Sequence, residues 1–488
     1  MLRKFIIDLV KYAPSKLLPA FSGFITIPII SRLFSPHEFG EYILAVSTAG
    51  LLYATFCSGL GSAVLRFYPE YQKRAESGKF FLELNVLLLL SISISGALAF
   101  LVLSFLNTIL SSAFLALLKI SILVFLVDSI FNVYLDILRA KEKSGSYTAF
   151  DLLGRYGSLG IGLLLIFSFG FGVEGLLWGN FLISLILIIV LSCFFLKGTS
   201  FQGSGVSFSN LKDIFQYAWP LGVANLSMWS LSMSDRYILN HYRSENEVGF
   251  YSMGYQVSEK TISIIITLFL LTLRPLINNT WVSGGRSAAE EAITMVTRIF
   301  LIFSLPACIG LTIIADPLMR ILTTEAYYKG SQIVGFVAFS GFFWGLSQIA
   351  ISGLILAKRT RLLALNQFVA TALNLGLNFI FVPKYGFVGA GATTLLGYIV
   401  LFVLQTYQSK DELRWCFPFK TLRNVAVASV FMTFSIYLMR SLLNNWNLLV
   451  VYLFVAIFIG SAVYAIFLIL LGELSRKEIS ALLLLKRQ

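Results

Sequence analysis

Fourteen apolar segments, each about as long as a bilayer crossing, occupy most of this 488-residue chain. A hydrocarbon core of about 30 Å needs roughly 20 helical residues, and a helix satisfies its own backbone hydrogen bonds in lipid. The unbroken apolar run 84–106 is about twice as long as a barrel strand requires. The sequence therefore predicts fourteen transmembrane helices, at 16–33, 41–63, 81–105, 113–138, 147–168, 174–196, 213–236, 249–273, 294–315, 331–356, 362–382, 387–408, 424–441 and 448–471.

Positive charge alternates between the loops that join these segments. Loops on the side of both termini hold 27 of the 37 Lys and Arg residues, whereas the opposite loops hold 7. The positive-inside rule then predicts that both termini lie in the cytoplasm, in a multi-pass protein of the cell membrane. Topology and contact with anionic membrane lipids explain the net charge of +13, so no nucleic-acid partner is expected.

A weak internal repeat divides the chain into halves. Arg32 and His37 have the same spacing as Arg236 and His241, and further short matches follow in the same order. Each copy holds six crossings, an even number, so the two copies share one orientation in the membrane. Parallel repeats of this kind typically form two lobes that rock around a midplane cavity, which is typical of a secondary transporter.

The predicted fold is therefore an all-α integral membrane protein with two six-helix lobes in parallel repeat plus two C-terminal helices. Residues 1–196 form the N-lobe, which begins with an interfacial helix at 2–12 on the cytoplasmic side. A cytoplasmic linker follows at 197–212, and the C-lobe spans 213–408. Residues 409–488 hold helices 13 and 14 and a cytoplasmic tail.

Ionisable residues inside crossings are candidate functional residues, because each costs about 2.5–3.5 kcal/mol at a helix centre. Glu259 and Lys260 lie about ten residues into the eighth crossing and are the most deeply placed charged pair. Asp128 lies in the fourth crossing. Asp151 and Arg155 have the i,i+4 spacing of a pair that can neutralise itself. A structural ion pair is the alternative interpretation for each of these groups.

Four arginines end crossings at equivalent places in the two halves: Arg32 and Arg236 on the external side, Arg66 and Arg274 on the cytoplasmic side. Snorkelling to headgroups or positive-inside anchoring would explain each alone. Their shared location in the two halves favours contact with a substrate that carries phosphate or pyrophosphate. Asp235, beside Arg236, requires an explanation beyond snorkelling.

Several motifs of soluble enzymes have no functional meaning in this chain. Residues 170–175 fit GxGxxG but lie in a short turn between membrane helices, without a βαβ unit. His37 and His241 are the two histidines of the chain, and no Walker A sequence occurs. The sequence therefore predicts no cofactor, no metal site and no catalytic residue.

Three segments resemble the polysaccharide transporters of the multidrug/oligosaccharidyl-lipid/polysaccharide flippase superfamily. They are 28–42 (PIISRLFSPHEFGEY), 59–70 (GLGSAVLRFYPE) and 234–240 (SDRYILN) followed by 248–251 (VGFY). The resemblance implies a flippase for undecaprenyl-diphosphate-linked oligosaccharides, whose basic residues contact the diphosphate sugar in a central cavity. By position it implies substrate contacts for four arginines: Arg32, Arg66, Arg236 and Arg274.

Lys260 joins these candidates because of its depth, although its repeat counterpart, Leu51, is apolar. Asp128, Asp235 and Glu259 are the candidates for binding a coupling ion. The resemblance implies a transporter rather than an enzyme. Its expected partners are the lipid-linked oligosaccharide, membrane lipids, and the polysaccharide polymerase and glycosyltransferases of the same pathway.

Two alternatives remain open at this point. A cation-coupled multidrug antiporter of the same fold would favour an acidic, aromatic-lined pocket, whereas the charges at these helix ends are mainly basic. A membrane glycan polymerase or ligase would need a sizeable external loop with catalytic residues, and the external loops run to about a dozen residues.

Overall fold

A computed structural model describes residues 23–197, 205–357, 359–442 and 449–473. The predicted interfacial helix at 2–12, residues 198–204 of the linker and the tail after residue 473 lie outside these residues. The helices in chain order are α1 (Gly23–Leu33), α2 (Pro36–Phe56), α3 (Ser58–Lys73), α4 (Ser77–Leu106), α5 (Ser112–Ala140), α6 (Ser144–Phe169), α7 (Glu174–Leu196), α8 (Phe208–Tyr242), α9 (Glu245–Ile313), α10 (Ala315–Leu322), a 3-10 helix (Glu325–Gly330), α11 (Ser331–Ala350), α12 (Ser352–Leu356), α13 (Thr360–Ser409), α14 (Phe419–Leu442) and α15 (Leu449–Leu470).

The predicted all-α, fourteen-crossing fold is confirmed. Ten helical stretches of the described chain are long and apolar enough to cross a membrane. Two of them, α9 and α13, run for 69 and 50 residues and bend at Gly285 and Gly386. Each bend has a positive φ, of 67° and 57°, which glycine adopts without steric cost, so each long helix supplies two crossings. The first and seventh predicted crossings correspond to α1 and α8.

The helix bounds extend beyond several predicted crossings. The second predicted crossing is 41–63, but α2 ends at Phe56, and α3 begins at Ser58 and continues to Lys73. Hydropathy locates the part of a helix that lies in lipid, whereas the helix itself continues into water wherever its backbone bonds and side chains permit. A crossing predicted from hydropathy is therefore shorter than the helix that contains it, because the prediction leaves out the helical residues that lie in water.

Residue contacts divide the chain into two compact units, whose boundaries fall after Pro36 and within α8 after Tyr237. The N-unit, His37–Tyr237, has a core of fully buried side chains from several of its helices, which include Leu60, Phe80, Leu88, Phe125 and Leu138. The C-unit contains α1 and the helices that follow Tyr237. The lobe division predicted from the repeat stays a prediction.

Glu473 anchors α14 and α15 in the C-unit. Its carboxylate accepts hydrogen bonds from Thr421 Oγ1 at 2.6 Å, Asn424 Nδ2 at 2.9 Å and Arg298 Nε at 2.9 Å. The side chain is 4% exposed. Because Thr421 and Asn424 lie in α14 and Arg298 lies in α9, this carboxylate joins the end of α15 to two other helices.

Acidification is expected to weaken this junction. Burial alone would raise the pKa of the Glu473 carboxyl, but the hydrogen bonds from Thr421, Arg298 and Asn424 outweigh it, so the pKa lies below its ordinary value. The stabilising contribution is therefore complete above about pH 4.3, the ordinary Glu pKa, and is lost as the pH falls through the folded-state pKa. Thermal unfolding of the purified protein between pH 7 and 3.5 should show this loss in wild type. Glu473→Gln should unfold at lower temperature at pH 7 and should show less of the acid-dependent decline, and an unchanged decline would contradict the assignment.

Candidate substrate-binding and coupling residues

Arg32 lies at the end of α1 in the C-unit, with an exposed side chain. Its Nη1 donates a hydrogen bond to the carbonyl oxygen of Pro28 at 2.8 Å, which folds the side chain back along the helix. The fully buried Tyr327 holds the C-terminal end of α1 in place, because its hydroxyl donates a hydrogen bond to the carbonyl oxygen of Phe34 at 2.9 Å. The 3-10 helix thus positions the segment that presents Arg32.

Lys260 is half-buried in α9 and packs against α1 of the same unit. A Cβ atom built on Gly23 would lie 2.7 Å from Lys260 Cδ, so the aliphatic stem of the lysine occupies the place of a side chain there. Arg32 lies nine residues further along α1, about 13 Å at helical rise. The C-unit therefore presents two predicted substrate-binding cations on two contacting helices. Glu259, the neighbour of Lys260, is exposed.

Arg66 and Arg274 are both exposed at the ends of crossings. Arg66 forms an ion pair with Glu70, one helical turn further along α3, and this neighbour lowers the pKa of the Glu70 carboxyl. Arg274 lies in α9 at the end of the eighth predicted crossing, directly before Pro275. The geometry agrees with positive-inside anchoring as well as with substrate contact, so the substrate role of both stays a prediction.

Asp235 and Arg236 form a buried ion pair in α8. Arg236 Nη1 lies 3.0 Å from Asp235 Oδ1. Arg236 is 3% exposed and Asp235 is 1% exposed. The same Nη1 donates to the carbonyl oxygen of Ser232 at 2.7 Å. Snorkelling to headgroups does not explain an arginine with so little exposed surface. The adjacent Tyr237 hydroxyl lies 2.9 Å from Thr48 Oγ1, which connects this part of α8 to α2.

Asp128 lies in α5, and neutral groups of α7 surround its carboxylate. Ser184 Oγ donates to Oδ1 at 2.6 Å and Asn180 Nδ2 donates to Oδ2 at 2.8 Å. Ser184 and Asn180 are four residues apart and therefore lie on the same helix face. No Lys or Arg within the described ranges forms an ion pair with Asp128. Such a carboxylate can gain a proton or a cation without first breaking an ion pair.

The predicted residues thus fall into separate groups. Arg32, Lys260, Glu259 and Arg274 belong to the C-unit, and Arg66, Asp128, Asp235 and Arg236 belong to the N-unit. Within the N-unit, Asp235 pairs with Arg236, whereas Asp128 bonds to α7 and Arg66 bonds to Glu70. Asp151 and Arg155 form the predicted i,i+4 pair at 3.1 Å.

Residues 29–332, more than half of the chain, match the family described as polysaccharide biosynthesis protein. The chain belongs to this family. A probable low-salt glycan biosynthesis flippase of Haloferax volcanii is 21% identical, over 90% of each chain. A putative O-antigen transporter of Shigella flexneri is 23% identical over 76% of this chain and 90% of its own length. The family resemblance that the three sequence segments indicated is confirmed.

Solved structures show the same fold at low identity. A lipid II flippase in an inward closed conformation has a TM-score of 0.73 at 17% identity and covers 95% of this chain and 98% of its own. An inward-facing MATE family multidrug resistance transporter has a TM-score of 0.68 at 14% identity, over 83% of this chain and 97% of its own. At these identities the likeness establishes the fold alone.

A cluster of neutral polar side chains lies in α13 of this family member and was missed from the sequence. Thr393 Oγ1 donates to Asn378 Oδ1 at 2.5 Å, and Asn378 Nδ2 donates to Asn374 Oδ1 at 3.2 Å. All three side chains are fully buried. A scan for charged residues passes over them, although two asparagines four residues apart in an apolar helix are themselves a signal of a polar cluster.

Glu83 was also missed, although it is a single acidic residue in an apolar run. It is fully buried in α4 and accepts hydrogen bonds from three donors of the N-unit. Tyr71 Oη donates to Oε2 at 2.9 Å, while Asn210 Nδ2 at 2.9 Å and the backbone amide of Ser207 at 3.1 Å donate to Oε1. The carboxylate therefore fixes the start of α8 against α4.

Proposed function

We propose that this protein is a flippase that moves an undecaprenyl-diphosphate-linked oligosaccharide across the cytoplasmic membrane by alternating access. The observation that carries the proposal is the presence of two cations in the apolar helices of a polysaccharide biosynthesis protein, Arg236 in α8 and Lys260 in α9. Charged residues in a membrane helix are costly and commonly mark a substrate or ion pathway. The charge bias of 27 to 7 supports cytoplasmic termini.

The proposed mechanism involves no covalent chemistry. Arg32, Lys260 and Arg236, together with Arg66 and Arg274 near the opposite helix ends, replace the water around the diphosphate during its passage. Guanidinium groups suit this task because they bind phosphate oxygens in a bidentate manner. The polyprenyl tail stays in lipid throughout. The proposed partners are the polymerase and glycosyltransferases that use the same lipid-linked glycan.

Reconstitution tests the function directly. Purified protein is placed in vesicles with an undecaprenyl-diphosphate oligosaccharide, and access of an external glycosidase to the inner-leaflet glycan is measured over time. We expect the protected half of the glycan to become cleavable when protein is present. Cleavage that is limited to the glycan of the outer leaflet, as in protein-free vesicles, would refute the proposal.

The two alternatives give different outcomes. A multidrug antiporter of the same fold would confer drug resistance on a strain without efflux pumps and would leave the lipid-linked glycan unmoved. A glycan polymerase or ligase would lengthen or transfer the glycan in the same vesicles. We expect neither result.

Asp128 is the group we propose for coupling to a proton or cation gradient, ahead of Asp235 and Glu259. Its carboxylate has neutral partners on α7, whereas Asp235 is paired with Arg236 and Glu259 is exposed. Asp128→Asn keeps the shape of the side chain but removes the charge. We expect the vesicle assay with this variant to lose its response to an imposed gradient, a change of about 5- to 150-fold at typical coupling energies.

Asp151→Asn is the matched control for that experiment, because Asp151 is also an N-unit carboxylate but already pairs with Arg155. It should keep the gradient response. An Asp128→Asn protein that still responds to the gradient would exclude Asp128 as the coupling group.

A further inference from the structure

Two lysines of the N-unit lie over neighbouring aromatic rings at the end of α7. Lys141 Nζ lies 4.8 Å from the ring centroid of Phe195 and 5.6 Å from that of Tyr68. Lys143 Nζ lies 4.7 Å from the ring centroid of Phe194. Both lysines belong to the short turn between α5 and α6, and the adjacent rings of Phe194 and Phe195 are 6.0 Å apart.

The two ammonium groups are cationic neighbours that carboxylates do not neutralise. Within the described ranges, no Asp or Glu forms an ion pair with Lys141 or Lys143. The nearby Arg139 differs, because it pairs with Asp136 at 2.9 Å. Burial lowers the pKa of Lys141, and the charge of Lys143 lowers it further. An anion between the two groups would relieve this repulsion.

The surroundings select the kind of anion. Phe194 is 41% exposed at the end of an apolar helix, so one side of the site is suited to contact with acyl chains. The lysines lie on the side of the membrane that the charge bias predicts to be cytoplasmic.

We propose that Lys141 and Lys143, above Phe194 and Phe195, bind the phosphate of an anionic phospholipid headgroup. The site lies outside the predicted substrate residues, and the proposal does not depend on the flippase function. Basic pockets between membrane helices on the cytoplasmic side bind anionic headgroups by the same chemistry.

Lipid titration tests this site. The full-length protein in mild detergent is titrated with phosphatidylglycerol and, separately, with phosphatidylcholine, and retained lipid is counted by native mass spectrometry. We expect wild type to prefer phosphatidylglycerol. Lys141→Gln/Lys143→Gln should weaken that binding roughly 30-fold, since each lysine near a surface contributes about a factor of five.

Two variants and one soluble ligand make the result decisive. Lys141→Arg/Lys143→Arg keeps both charges and should retain the lipid, which separates charge from folding. Lys410→Gln is the matched control, because Lys410 is an exposed lysine whose Nζ also lies over an aromatic ring, 3.8 Å from the ring centroid of Tyr407, and this variant should bind as wild type does. An unchanged lipid preference in the double glutamine variant would overturn the proposal. The thermal unfolding temperature is also measured with phosphatidylglycerol and with inorganic phosphate. If inorganic phosphate alone raises this temperature as much as phosphatidylglycerol does, the site binds a soluble anion and the lipid assignment is overturned.

Discussion

Lys260→Ala is expected to slow transport of the lipid-linked glycan strongly while leaving the protein folded in the membrane. The lysine carries one of the few cations within the crossings, and its stem packs against Gly23 of α1. A hydrogen bond to a charged group contributes about 1.5–3 kcal/mol, so loss of this contact should slow flipping about 10- to 150-fold. The vesicle assay measures the rate, and gel filtration measures the folded fraction.

Lys119→Ala is the matched control for this substitution. Lys119 is also a lysine within a predicted crossing, but its side chain is exposed in α5, so we expect normal transport without it. Gly23→Ala keeps every charge but displaces the lysine stem that lies 2.7 Å from the new Cβ position. It should slow transport less than Lys260→Ala does. Normal transport by the Lys260→Ala protein would remove this residue from the substrate path.

Arg32→Ala is expected to have a smaller effect on the same rate. Arg32 lies at an exposed helix end, where water can take over part of its role. We expect a reduction of about tenfold, the lower end of the range for a charged hydrogen bond. A loss as large as that of Lys260→Ala would show that both cations act on the substrate at one step.

The crossings could be predicted from the sequence because a helix in lipid depends on local composition. The sequence also predicts the interruptions between crossings 249–273 and 294–315 and between crossings 362–382 and 387–408, but it does not predict that each one is a bend at a single residue of a continuous helix. Gly285 and Gly386 have positive φ values and divide two long helices, yet glycine is common in membrane helices without bending them. The break at Cys57 likewise has no signal in hydropathy. Such features depend on how a helix packs against its neighbours.

The candidate site could be predicted only as a set of charged residues. The pair Asp151 and Arg155 was predicted from its i,i+4 spacing, and the structure contains it. The partners of Asp128 could not be predicted, because Asn180 and Ser184 come from a helix more than fifty residues away. The roles assigned to the arginines stay predictions, since position alone does not separate anchoring from substrate binding.

Asp235→Ala is expected to cause a large loss of folding stability. The pair with Arg236 is almost fully buried, so removal of the carboxylate leaves a guanidinium without this partner in a poorly solvated place. Breaking one side of a buried pair costs about 3–5 kcal/mol. Arg236→Ala breaks the same pair from the other side and should also lower the stability. Unfolding in detergent with increasing denaturant measures both losses.

Arg286→Ala provides the comparison with a solvated pair. Arg286 lies 2.9 Å from Glu290 with half of its side chain exposed, and removal of such a pair costs about 1 kcal/mol or less.

Arg236→Lys then separates stability from transport. Lysine keeps the ion pair but lacks the planar fork that binds phosphate oxygens in a bidentate manner, so we expect near-normal stability with slow transport. Normal transport by Arg236→Lys would show that transport requires the positive charge at this position and not the bidentate geometry of the guanidinium group.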